Sequence, residues 1–270
     1  MEVNVLSLDG KAKRTIELPE AFRGQVKPEL IQRAALAESS AGLQPQAHFT
    51  FAGMQTSAAY HGRRGAYRSG RHMGIAIRPR ENLGGGVQGK VRRIPSAKSG
   101  KRAHPHMVEK IIIEKINRRE YQSALASAIS ATASTKLMPA RLAGMHLPII
   151  MTDEIETIKR AKDVMTMLKG INLAAYVDEG REPHIRKGVR RSTRIRIYRK
   201  KLLLVVGKDS DIMKAARNIP GIDICDVSKI RVNLLAPGGV PGRVTVWDES
   251  AVSNISKAIE NIKRVERWQR

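Results

Sequence analysis

The run Gly84-Gly-Gly-Val-Gln-Gly89-Lys90 satisfies the spacing G-x-x-x-x-G-K. In a phosphate-binding loop that spacing lets bare backbone wrap the phosphates of a nucleotide while the lysine neutralises them. The chemistry also needs a strand before the glycines, a helix after them, and Ser or Thr after the lysine to hold magnesium. Here Arg80-Glu-Asn-Leu83 precedes the glycines, Val91 follows Lys90, and Arg92-Arg93 come next. The context does not support a nucleotide site. The physics of the motif survives: Gly84, Gly85, Gly86 and Gly89 allow close backbone approach to phosphate, and Lys90 can neutralise it. An RNA backbone suits that arrangement as well as a nucleotide does.

Other reactive patterns fall short. His104-Pro-His106 is half of a metal site, but no cysteine or near carboxylate completes it, so no metal is expected and His104 reads as a hydrogen-bonding group. No G-x-G-x-x-G follows an expected strand, so no dinucleotide or other cofactor is expected. No G-x-S-x-G elbow is present. Gly238, Gly239 and Gly242 read as a tight turn. Catalysis on nucleic acid commonly uses carboxylates for metal or acid–base work. The segment richest in phosphate-binding residues offers Glu81 alone. The expectation is binding without chemistry, not an enzyme.

Charge locates that binding. The chain has 270 residues and a net charge of +24. Residues 60–107 carry 12 Lys/Arg against one acid, and residues 181–201 carry ten against one, Glu182. The remainder holds 27 basic and 23 acidic residues. A nearly neutral body therefore bears two cationic segments, the electrostatic footprint of nucleic-acid binding. Residues 60–107 also contain nine glycines and few large apolar residues. Such a segment has too little apolar surface to offset its ordering entropy, about 1–2 kcal/mol per residue. Lying inside the chain, it is expected to order on a polyanion.

The candidate contacts follow. In the first segment, Tyr60, His61, Tyr67 and His72 interleave with Arg63, Arg64, Arg68 and Arg71. Flat rings can stack on unpaired bases while guanidinium groups meet phosphates. Arg78, Arg80, Lys90, Arg92, Arg93, Lys98, Lys101 and Arg102 complete the set. In the second segment they are Arg186, Lys187, Arg190, Arg191, Arg194, Arg196 and Arg199. There Arg194 and Arg196 alternate with Ile195 and Ile197, as in a strand extension with one basic face. Cys225, the one cysteine, sits in an apolar run and reads as a small buried hydrophobe. No apolar run reaches the ~18–20 residues of a membrane span, and no signal-peptide layout opens the chain. A cytoplasmic protein without a membrane partner is expected.

The framework that must position these residues reads as alternating strands and helices. Strands are expected at 3–8, 148–151, 171–177, 202–206, 222–227 and 244–247, and helices at 28–40, 107–135, 152–168, 209–217 and 249–264. The helical stretch 107–135 reads as two helices or as one with a break near Asn117, and 232–235 is a short turn or helix. The continuous apolar run Leu202–Val206 marks a central parallel strand covered on both faces. The fold class is α/β: a layered, mostly parallel, Rossmann-like three-layer sheet flanked by helices, with a long irregular internal loop. Residues 1–47 and 108–270 form the globular domain, and 48–107 the basic RNA-binding loop inserted in it.

Several stretches together resemble one family. They are Asn4-Val-Leu-Ser-Leu-Asp-Gly10, Gly62-Arg-Arg-Gly-Ala-Tyr-Arg-Ser-Gly70, Ala103-His-Pro-His106 with Glu109-Lys110, and Ser127-Ala-Ile-Ser-Ala-Thr-Ala133. The most specific is Leu235-Ala-Pro-Gly-Gly-Val-Pro-Gly-Arg-Val-Thr-Val-Trp-Asp-Glu-Ser250. In order, over nearly the whole chain, they resemble the archaeal form of the large-subunit ribosomal protein L-four family. That resemblance implies a structural constituent of the large subunit that binds ribosomal RNA. It implies a loop reaching the peptide exit tunnel beside protein L-twenty-two, near the nascent peptide. Two other functions remain open: an RNA-processing or RNA-modifying enzyme using the loop as a substrate clamp, and a free-form regulator binding messenger RNA.

Overall fold

Two strands, each buried along its whole length, lie side by side inside the sheet. They are Leu202–Val206 and Val244–Asp248. The computed structural model describes residues 2–65, 69–137, 139, 144–185 and 196–262, with Arg196 and Ile197 as backbone only. In chain order the strands are β1 Glu2–Leu6, β2 Ala12–Glu17, β3 Arg80–Asn82, β4 Gln88–Val91 and β5 Ile149–Met151, then β6 His184–Ile185, β7 Arg196–Ile197, β8 Leu202–Val206, β9 Ile222–Asp226 and β10 Val244–Asp248. The helices are α1 Pro28–Ala41, α2 Arg118–Ala133, α3 Ala161–Gly170, α4 Ala174–Arg181, α5 Asp211–Ala216, α6 Val232–Leu235 and α7 Glu249–Glu260.

One six-stranded sheet runs β2-β1-β5-β10-β8-β9, parallel except for the β1–β2 hairpin. Alternation along β8 feeds two cores. Leu203 and Val205 pack with α1, α2 and α7 residues and with Trp247, which meets Phe22 edge to face at 5.3 Å. Leu202, Leu204 and Val206 pack on the other face with α3, α4 and α5 residues. The expected α/β layering, mostly parallel with helices on both faces, is the observed one.

Three expected elements differ. Residues 171–177 are not a strand. Asn172 turns the chain at φ +62, and α4 follows. Buried Leu173, Val177 and Gly180 recur at spacings of three and four, which is helical. Gly180 lies against Gly221, where a Cβ would come within 2.8 Å of Gly221 Cα. Residues 107–117 are not helical, since the β-branched run Ile111-Ile112-Ile113 is a weak helix former and α2 begins only after Asn117. The single helix expected over 152–168 is a 3-10 turn, Asp153–Thr157, followed by α3. Buried Ile155 and Ile158 share the three-residue period of that tighter turn. The polar edge strand β2 and the β3–β4 hairpin escaped the sequence reading because neither alternates in hydrophobicity.

The chain divides into two units, residues 1–42 with 113–270, and residues 43–112. In the first, three buried charges join neighbouring elements. Glu38 on α1 accepts from the Tyr121 hydroxyl of α2 and, at 2.8 and 2.9 Å, from the backbone N–H groups of Val232 and Asn233 on α6. Burial pushes its pKa up, and those hydrogen bonds oppose the shift. Arg243, just before β10, donates to the carbonyls of Lys200, Lys201, Leu202 and Leu234 and to Asp223 Oδ2 at 2.8 Å. It thereby ties together the starts of β10, β8 and β9. Asp248, ending β10, accepts from Ser250 Oγ at 2.7 Å and more weakly from Gly207 N, and its Oδ1 is buried without a partner. Burial first, then neighbouring Glu156 and Asp153, push its pKa up to about 7.

Two outcomes follow from these charges. Arg243→Met strands four carbonyls, that of Leu202 buried and the others partly so, and part of Asp223; it is expected to destabilise the fold by about 3 kcal/mol, read from urea unfolding midpoints. Asp248 binds its proton more tightly folded than unfolded, so stability falls as pH rises from about 4 to about 7. Asp248→Asn keeps a carbonyl acceptor without the charge. It should flatten that pH dependence in thermal melts and exceed the wild-type melting temperature above pH 7.

Candidate nucleic-acid interface

Residues 43–112 carry 13 Lys/Arg and two acids, Glu81 and Glu109. Ala58 is the one apolar side chain of this unit that is buried, among the described residues. The unit is therefore shaped by backbone turns and short ladders. Ala59 and Arg80 exchange both backbone hydrogen bonds, at 3.2 and 3.3 Å. Arg92 N donates to Pro79 O at 3.0 Å, and His48 N to His106 O at 3.3 Å. The hairpin β3–β4 turns through Gly84, Gly85 and Gly86, with φ of 86, 57 and 83°. Only glycine occupies that region without strain, and Gly84 N is held by Asn82 Oδ1 at 3.1 Å. The G-x-x-x-x-G-K run is thus a hairpin turn with Lys90 exposed on β4, not a strand-to-helix loop.

A second anchor lies at Gly53. Its φ is +75°, and a Cβ there would sit 2.3 Å from Gly100 O. Two successive turns over 49–54 are thereby seated on the 94–101 turn, where Arg93 Nε reaches Met54 O at 3.3 Å. Phe49 and Phe51 stand on this turn as an edge-to-face pair, centroids 5.9 Å apart, each more than half exposed. The sequence reading missed both. Two phenylalanines on the rim of the basic segment, one residue apart, were the available signal.

The expected contact residues are distributed as follows. His61, Arg63, Arg64, Arg71, His72, Arg78, Lys90, Arg93, Lys98, Lys101, Arg102 and His104 are exposed. Arg80 is half-buried. Arg92 is half-buried too, and its Nε pairs with Glu81 at 2.6 Å. That hydrogen bond leads the causes holding the Glu81 carboxyl below its usual range. It is the ion pair formed in this unit among the described residues. Tyr60 folds its ring over Gly62 rather than standing free. Gly89 is half-buried beside Glu81. Tyr67 and Arg68 lie outside the described residues.

In the other unit, β6 and β7 form a small antiparallel ladder of their own rather than extending β8. Arg186, Lys187, Arg190, Arg191 and Arg194 lie outside the described residues, and Arg196 is described by backbone alone. Arg199 is exposed. The end of this cationic stretch is used structurally. Lys200 pairs with Asp223, and Lys201 pairs with Glu179 while lying 5.0 Å from the Tyr176 ring centre. Cys225 is buried, and burial pushes its thiol up to about 12, so it is inert. Among the described residues, no group of three His, Cys, Asp or Glu could hold a metal ion, and no helix is long and apolar enough to cross a membrane.

The arrangement presents exposed cations and rings on a glycine-rich backbone whose shape depends on two close contacts. Gly53→Val places a branched side chain at positive φ and against Gly100 O. It should release the 49–54 turn from the 94–101 turn, detected as faster tryptic cleavage after Arg93, Lys98 and Lys101 with the melting of residues 113–262 unchanged.

Comparison with known proteins agrees with this picture. The model of the ribosomal protein L4/L1 family matches residues 16–258. A large ribosomal subunit protein uL4 of Archaeoglobus fulgidus is 39% identical over 264 residues, covering 95% of this chain and 99% of the relative. Those of Methanococcoides burtonii and Methanospirillum hungatei are 39% and 36% identical, covering 93% and 94% of this chain and 96% and 98% of their own. With a family model spanning most of its length and full-length relatives above a third identity, the chain belongs to the ribosomal protein L4/L1 family.

Proposed function

We propose that the chain is a structural constituent of the large ribosomal subunit in the cytoplasm, binding ribosomal RNA and performing no catalysis. One observation carries the reading. A unit with 13 Lys/Arg forms a single internal ion pair among its described residues, so its other cations are available to phosphate. Membership of a ribosomal protein family supports ribosomal RNA as that polyanion.

The finer assignment follows the family resemblance. Residues 48–107 act as the RNA-binding loop and residues 1–47 with 108–270 as its globular support. The loop reaches toward the peptide exit tunnel, beside protein L-twenty-two and the nascent peptide. The exposed cations of the two basic segments neutralise phosphates, and the backbone at Gly84, Gly85, Gly86 and Gly89 lies close to the RNA chain. Neither the enzyme reading nor the messenger-RNA regulator has a specific observation favouring it.

Two measurements test this. The full chain should bind purified large-subunit ribosomal RNA with a log–log salt slope of about −7 to −9, as expected for about ten neutralised phosphates. A slope near zero overturns the proposal. Deleting Gly62 to Arg102 should leave the remaining α/β unit folded while impairing subunit assembly, and normal ribosome content in such a strain would count against the loop's role.

A further inference from the structure

Phe49 and Phe51 belong to no core. Each ring is more than half exposed, and Ala58 is the one buried apolar side chain of residues 43–112 among those described. A large aromatic side chain gains free energy by leaving water, and pairing with each other does not achieve that here. The rings meet edge to face, centroids 5.9 Å apart and planes inclined at 66°. Such a pair covers at most one face of one ring, so flat apolar faces remain for a further partner.

The backbone fixes the rings before any partner arrives. Ala52 N donates to Phe49 O at 3.0 Å and Met54 N to Phe51 O at 2.9 Å, giving two successive turns. Upstream, His48 N donates to His106 O. Downstream, Gly53 packs against Gly100 and the backbone nitrogen of Lys101, and Arg93 Nε donates to Met54 O. Rings carried on a turn held at both ends lose little freedom on binding.

The surroundings decide the chemistry of the partner. Arg93 and Lys101 both touch the ring-bearing turn, and both are exposed. No acid occurs between residues 43 and 80. The core of a protein–protein interface is depleted of charged residues. Aromatic rings beside cations are instead the composition of a surface for single-stranded nucleic acid.

We propose that Phe49 and Phe51 form a stacking site for one unpaired base of the bound RNA. The inference rests on the RNA-binding reading above. The base lies flat on one ring face, and the second ring braces the first edge to face. Phenylalanine carries no polar side-chain atom, so the site selects unpaired bases over paired ones and does not distinguish one base from another. Arg93 and Lys101 meet phosphates of the flanking strand, so positioning and stacking act side by side.

The test measures binding of the full chain to purified large-subunit ribosomal RNA with no other protein present. Phe49→Leu together with Phe51→Leu keeps apolar bulk but removes the flat faces. It should weaken binding about tenfold, with the salt slope and the thermal melt of the free protein unchanged. Phe49→Tyr together with Phe51→Tyr keeps the faces and should bind as wild type does. Wild-type affinity in the leucine variant overturns the stacking site, assigns the rings to an apolar protein partner and leaves the RNA-binding reading standing. Equal loss in the tyrosine variant overturns the site too. So does a loss with a shallower salt slope, which assigns the rings to holding cations in place. Absence of salt-dependent binding by wild type defeats the RNA-binding reading itself, and the stacking site with it.

Discussion

A parallel sheet covered by helices on both faces cannot hold an unsatisfied charge, and the remaining structure is arranged around that constraint. The chain carries 49 Lys/Arg. Among the described residues only Glu38, Arg243 and Asp248 are charged groups that are buried. Arg243 is tolerated because four carbonyls and Asp223 surround its guanidinium. Glu38 is tolerated because three donors converge on it. Asp248 is the imperfect case, one oxygen bonded and the other not, and burial first, with Glu156 and Asp153 nearby, raises its affinity for a proton. The other described cations are half-buried or exposed.

That exclusion gives residues 43–112 their character. Buried apolar surface is nearly absent, so backbone hydrogen bonds and glycine contacts maintain the shape. Side chains not needed for a core are free to face a ligand. The same economy explains why one ion pair, Glu81–Arg92, braces the hairpin while the other arginines remain without an acid among the described residues. The second cationic stretch differs, since Lys200 and Lys201 are tied to Asp223 and Glu179 of the folded unit.

Much of the fold was legible in the sequence. Leu202–Val206 announces a buried parallel strand by being apolar without interruption, and Pro28 announces the start of α1. Where buried positions were sparse, periodicity misled. Ile171, Leu173 and Val177 look like a strand until the three residues between Leu173 and Val177 are counted, and 107–117 offered isoleucines at helical spacing in a segment that is not helical. The polar hairpin β3–β4 has no hydrophobic signature at all. Its strands are recognised by glycine conformation and by pairing with each other, neither of which a single sequence displays.

The sequence by itself determined the charge segregation, the α/β alternation and the glycine-rich, cation-rich segment, because composition and hydrophobic period are local properties. Only the tertiary structure decided that Gly84-Gly-Gly86 turns a hairpin, and that Tyr60 lies over Gly62 while Phe49 and Phe51 stand exposed. Those outcomes depend on which distant backbone segments approach one another, Ala59 to Arg80 and Gly53 to Gly100. Such approaches are set by steric fit and hydrogen bonding across the chain, and no residue's neighbours in sequence record them.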